Sequence, residues 1–359
     1  MNHVRAALLL ALVALTAAGG APDGRVVALR ENNTSALAAR GRVRALTVRD
    51  RTVTRLPEAA EALLLFCRQR GVSRLFVAAN NLPAPENVDA SFGWSRLITG
   101  AKRLGMSVYV VLGAANWVTD SGTALTQMDA LLSFNAAALP GETLDGVLIE
   151  LPGLNEDLAA PTSPASAPAA GAPLTPTPAL LSDPVAVQRQ VEAIARAARH
   201  LAARDRSGRL RVGASVPAWM QVQITFDGET RDALRSIVDL VQFIVVHNQP
   251  NQTTDVGAAA DAALAAAGPA GKSVLTRIDL AVSPRAIPAL ATLARRDELL
   301  LETTVSDVRA RHQAAAGFGG VLLDDYVSYA TLPEERSARG GGYLPGGYPS
   351  AEPITRPGF

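Results

Sequence analysis

The chain has 359 residues, a formal net charge of +1, 48% hydrophobic residues and 19% charged ones. A sequence this apolar and this weakly charged excludes disorder over most of its length, because it can bury a large core. Interspersed acids and bases leave no electrostatic footprint for nucleic acid, and the near-absence of lysine (Lys102 and Lys272 alone) is a bias of composition, not a binding device.

In chain order, residues 1–20 come first, with the layout of a secretory signal. His3 and Arg5 precede an apolar run from Ala6 to Ala14, and small residues follow from Thr16 to Ala21. That run is short for a bilayer span. The reading is an exported protein, periplasmic or extracellular, with an uncleaved anchor as the alternative. The single cysteine, Cys67, has no internal disulfide partner and suits a small buried core position. An exported chain without disulfides fits a bacterial envelope.

Eight short apolar runs follow: Val43–Val48, Arg74–Ala79, Ser107–Leu112, Leu144–Leu151, Leu210–Val216, Leu240–Val246, Ser273–Leu280 and Gly320–Leu323. Each has strand length and is bounded by turn formers. Helical spacing lies between them, as in Leu56–Arg70, Ala124–Ala137, Val185–Ala203 and Asp255–Ala267. Thr54 and Asp183 are placed as N-caps, with Pro57 and Pro184 in first turns. Near-continuous apolar strands predict a parallel sheet covered on both faces.

Eight strands alternating with helices predict an α/β fold, a single-domain (β/α)8 TIM barrel over residues 21–335. An open doubly wound sheet is disfavoured: the turns after the first three strands read Arg49-Asp50, Asn80-Asn81 and Gly113-Ala114, none a Gly-rich phosphate loop. A low-complexity Ala/Pro-rich insertion at about residues 157–183 and a Gly/Pro-rich tail at 336–359 read as disordered.

Chemistry in such barrels sits at the C-terminal ends of the strands. Reading those ends gives candidate catalytic residues Glu150, Asp279 and Asp325, and candidate substrate-binding residues Asn80, Trp117, Trp219, His247, Asn248, Asp324 and Tyr326. Carboxylates at the ends of the fourth and seventh strands, Glu150 and Asp279, are placed to face one another across the mouth. Such pairs perform glycoside hydrolysis, one protonating the leaving oxygen and the other attacking or activating water. The competing reading is an ion pair of Glu150 with Arg49 or Arg277, since buried charges seek partners. Trp117 and Trp219 either stack on sugar rings or plug the top of the core. Asp324 and Asp325 are adjacent, so only one reaches the lumen. His247 either donates a proton or hydrogen-bonds at the mouth. Scattered histidines argue against catalytic zinc, no Gly-x-Ser-x-Gly elbow occurs, and no cofactor is expected.

The run Leu144-Asp145-Gly146-Val147-Leu148-Ile149-Glu150-Leu151 resembles the fourth-strand signature of chitinase-type (family 18-like) glycoside hydrolases and of related bacterial barrels of unassigned activity. Ala214-Ser215-Val216-Pro217-Ala218-Trp219 is similar to that family's fifth-strand Pro-x-Trp, and Gly320–Tyr326 to its final strand ending in a polar pair and a tyrosine. The resemblance implies a carbohydrate partner, an oligo- or polysaccharide, bound at the mouth. The signature has the form Asp-Gly-x-Asp-x-Asp-x-Glu. Aligned on Asp145-Gly146, this chain has Leu148 and Glu150 at the inner aspartates and Pro152 at the acid. Val246-His247-Asn248 also lacks the Met-x-Tyr of the sixth strand. Two readings stand: an exported glycoside hydrolase using Glu150 and Asp279, or a catalytically inactive carbohydrate-binding or envelope-structural barrel.

Overall fold

A computed structural model of the chain describes residues 43–79, 82–83, 87–151, 183–218, 220–247, 256–280 and 298–332. The predicted leader (1–20), residues 157–182 of the predicted insertion and the tail (336–359) lie outside them.

Eight parallel strands close into a barrel. In chain order they are β1 (Val43–Val48), β2 (Arg74–Ala78), β3 (Ser107–Leu112), β4 (Gly146–Ile149), β5 (Arg211–Pro217), β8 (Phe243–His247), β9 (Ser273–Asp279) and β10 (Phe318–Asp324), with β10 pairing back onto β1. Strands β6 (Gln223–Phe226) and β7 (Glu229–Asp232) form a separate antiparallel hairpin between β5 and β8. The helices are α1 (Pro57–Gln69), α2 (Val88–Arg103), α3 (Ser121–Ala137), α4 (Pro184–Arg204), α5 (Ala233–Leu240), α6 (Asp261–Ala267), α7 (Glu298–His312) and α8 (Tyr326–Ala330). Each of the eight predicted apolar runs contains or overlaps a barrel strand, and the (β/α)8 expectation is met.

Local chemistry explains the helix starts. The Asp183 carboxylate accepts from the Val185 N–H at 3.0 Å, and Pro184 fills the first position of α4, where its missing N–H costs nothing. Val187, Val191, Ile194, Ala198 and Leu201 then form one buried stripe. The expectation for Thr54 is corrected. It closes a 3-10 turn (Arg51–Thr54) that Asp50 caps, and α1 starts from Leu56 without a side-chain cap.

Strand alternation divides the core in two. Ala45, Phe76, Tyr109, Leu148, Phe243 and Leu322 point inward and fill the lumen, where the Phe76, Tyr109 and Phe243 rings meet at centroid distances of 5.2–5.9 Å. Leu46, Leu75, Val110, Val147, Ile244 and Leu323 point outward and pack against the helices. The lumen is therefore a packed core with its chemistry displaced to the rim. Continuing the inward parity upward brings Thr47, Arg49, Glu150, Ser215, His247, Arg277, Asp279 and Asp324 to the C-terminal mouth.

Candidate functional site: the charged C-terminal mouth

Glu150 follows β4 directly. Its backbone N–H donates to the Leu112 carbonyl at 2.9 Å, so the β3–β4 ladder extends one residue past the strand and holds the side chain inward. Gly113 permits that approach: its φ is +151°, and a Cβ there would lie 2.0 Å from the Glu150 carbonyl oxygen.

Two guanidiniums close on the Glu150 carboxylate. Arg277 Nη1 donates to Oε1 at 2.8 Å, and Arg49 Nη2 lies 3.1 Å from both oxygens. Arg277 also donates from Nε to Asp279 Oδ1 at 2.6 Å and pairs through Nη2 with Asp324. Arg49 reaches Asp324 as well, through Nε and Nη2, both at 3.3 Å. Three carboxylates and two guanidiniums thus form one connected network, with Arg277 at its centre. Strand register sets the arrangement: Asp279 is paired with Asp324 across β9–β10, and His247 with Arg277 across β8–β9. Of the five, Arg49 (39% exposed side chain) and Asp279 (27%) present the most surface to solvent, while Asp324 is 4% exposed.

Burial and charge act in opposite directions here. Burial disfavours the Arg277 charge, yet Asp279, Asp324 and Glu150 outweigh it and raise this guanidinium well above its ordinary value. Burial pushes Asp324 up, but Arg277 and Arg49 prevail and hold it below the usual carboxylate range. At Asp279 burial prevails over Arg277, with Asp324 and Glu150 adding to the upward shift. Burial and Arg277 together depress the His247 imidazole to about 3, against a smaller pull from Asp324.

The other sequence-predicted residues divide. Asp324, not Asp325, faces the lumen. Asp325 instead caps α8, accepting from the Ser328 N–H at 2.9 Å, so its catalytic assignment is corrected. Tyr326 opens α8 and packs edge-on against Phe66 of α1 at 5.3 Å, on the barrel wall. Trp117 is fully buried in a 3-10 turn (Ala115–Val118) after β3, so the sugar-stacking alternative is corrected to a core plug. Asn80, Trp219 and Asn248 lie outside the described residues, as does Pro152. Sequence reading named Arg49 and Arg277 as ion-pair partners of Glu150, and both are. It missed Thr47 and Ser215, whose signal was the inward parity of β1 and β5; Thr47 helps to keep Asp324 below the usual carboxylate range. Among the described residues, no group of three or more His, Cys, Asp or Glu is placed to hold a metal, and no helix is long and apolar enough to cross a membrane.

Fold and rim together define an α/β barrel with an ion-paired mouth, resembling glycoside-hydrolase barrels in architecture. No protein-family model and no curated protein matches the chain. Solved structures similar to it include a GH18 chitinase from Pseudoalteromonas aurantia, at 12% identity, covering 80% of this chain and 94% of that one, with a TM-score of 0.49. The PgaB glycoside hydrolase domain from Bordetella bronchiseptica is 14% identical over 81% and 96% of the two chains, with a TM-score of 0.46. A β-mannanase from the blue mussel Mytilus edulis is 10% identical over 79% and 86%, with a TM-score of 0.47. At these levels the likeness concerns the barrel and carries no argument about activity.

Proposed function

We propose that this chain is an exported glycoside-hydrolase-like barrel that binds a carbohydrate at its C-terminal mouth without hydrolysing it. The observation that carries the non-hydrolytic part is the Glu150 carboxylate, held between Arg277 at 2.8 Å and Arg49 at 3.1 Å. A general acid must hold a proton on an oxygen that can meet the leaving group. Both Glu150 oxygens already accept guanidinium N–H groups. The strand-end motifs support a sugar as ligand, and so does the composition of the rim. Arg49 and Asp279, the more exposed members of the network, supply donors and acceptors to hydroxyl groups. Export rests on the leader-like residues 1–20.

One observation favours a second reading, hydrolysis with Asp279 as the acid: its side chain is 27% exposed at the mouth, where a ligand can meet it. Partial burial, with Asp324 and Glu150 nearby, raises its carboxyl, as a proton donor requires. Incubating the full chain with cello-oligosaccharides, chito-oligosaccharides and soluble peptidoglycan strands separates the two. The binding reading expects retention of at least one glycan with no release of new reducing ends. Release that Asp279→Asn abolishes would establish the second reading in its place.

A further inference from the structure

We infer that Ser215 and His247 line the wall of this mouth beside Glu150 and Arg277 and receive one hydroxyl group of a neutral sugar, Ser215 through Oγ and His247 through Nε2. The inference rests on the carbohydrate-binding reading above and assigns the contact that selects the ligand.

The two side chains come from neighbouring strands. In the β5–β8 ladder Ser215 is paired with Val245 and Pro217 with His247, which makes Ser215 and His247 diagonal neighbours. Both face the lumen: Val245 belongs to the inner core cluster, and His247 lies two residues on from it. Ser215 shares the parity of Gly213, where an added Cβ would collide with the Phe243 ring. On the other side, the β4–β5 ladder pairs Leu148 with Gly213, and two residues further on it brings Glu150 to the level of Ser215. His247 is in register with Arg277. The pair therefore lies at the level of the ion network, Ser215 beside Glu150 and His247 beside Arg277.

Both groups are almost completely buried, Ser215 at 1% exposure and His247 at 4%. Among the described residues neither Ser215 Oγ nor His247 Nε2 has a hydrogen-bond partner. An unpaired buried polar atom is costly, and these two, diagonal neighbours that both face the mouth, are placed to take a polar group from outside. The surrounding charge narrows its chemistry. Arg277 beside His247 disfavours an ammonium, and Glu150, Asp279 and Asp324 disfavour a carboxylate or phosphate. A hydroxyl is neutral and both donates and accepts. It complements a serine hydroxyl and an imidazole that burial and Arg277 keep uncharged.

Titration calorimetry on the full chain tests this, using the same cello-oligosaccharides, chito-oligosaccharides and soluble peptidoglycan strands. Ser215→Ala is expected to weaken the tightest of these by about tenfold, the loss of one buried hydrogen bond, with a thermal midpoint within a few degrees of wild type. His247→Gln gives an independent second loss and carries the test if Ser215→Ala fails to fold. Undiminished affinity in a folded variant overturns the inference alone. If wild type binds none of the three glycans, the carbohydrate reading falls and the inference falls with it.

Discussion

Arg277 and Glu150, 127 positions apart in the chain, meet at 2.8 Å in the mouth of the barrel. The same guanidinium holds Asp279 at 2.6 Å and also pairs with Asp324. One cation at the end of β9 thus ties together the ends of β4, β9 and β10. Removing a buried charge strands its partners, so Arg277→Met is expected to cost about 3–5 kcal/mol of folding stability. Urea unfolding monitored by far-ultraviolet circular dichroism checks this. A change below about 1 kcal/mol would mean that the network adds little to the fold.

Stability should fall in acid, and His247 supplies much of the slope. Its folded value, about 3, lies below the ordinary value of about 6.5. A depressed group contributes stability that is present above its unfolded value and lost as pH falls toward the folded one. The thermal midpoint should therefore decline from about pH 6.5 downward, and His247→Gln should flatten that limb, removing on the order of a few kcal/mol of pH dependence. Asp324, also depressed, adds its own loss below about pH 4. Asp279 is raised, so its contribution has the opposite sign, present in acid and lost as pH rises through its folded value. A midpoint flat from pH 7 to 4 in wild type contradicts this account.

Trp117 is a core residue, and its replacement should behave accordingly. Trp117→Ala is expected to cost roughly 3–5 kcal/mol in equilibrium unfolding, as large-to-small changes in packed cores do. A folded, stable variant that loses only glycan affinity would return this side chain to the binding surface.

Asp325 holds one N–H at the start of a five-residue helix. Asp325→Ala should cost about 1 kcal/mol and leave glycan binding unchanged. Loss of binding with unaltered stability would place Asp325 in the site after all.

How much of this was legible in the sequence depends on the length scale of the signal. The barrel strands were readable because each is a short apolar run closed off by turn formers, as Val43–Val48 and Ser107–Leu112 show. The β6–β7 hairpin was missed although its signal is present. Asp227-Gly228 takes φ values of +52° and +82°, the turn that a two-residue hairpin loop demands, between the buried Phe226 and the exposed Glu229. Its strands are four residues each and partly polar, so they fall below the apolar pattern that identifies barrel strands. At the rim, parity placed Glu150 and Asp279 correctly, but it cannot say whether a carboxylate meets substrate or arginine. That depends on side chains brought in from β1 and β9. Trp117 stands near a strand end in sequence, yet one 3-10 turn folds it back into the core. Asp324 and Asp325 were indistinguishable until the start of α8 claimed the second as a cap.

On the proposed function Glu150 is an ion-pair partner of Arg277 and Arg49 and not an acid. The most direct measurement is reducing-end release from cello-oligosaccharides, chito-oligosaccharides and peptidoglycan strands by wild type and Glu150→Gln, run beside a binding assay on the same samples. The binding reading expects binding by wild type, no release by either protein, and reduced folding stability in Glu150→Gln. Release by wild type that falls a hundredfold or so in a folded Glu150→Gln would contradict it.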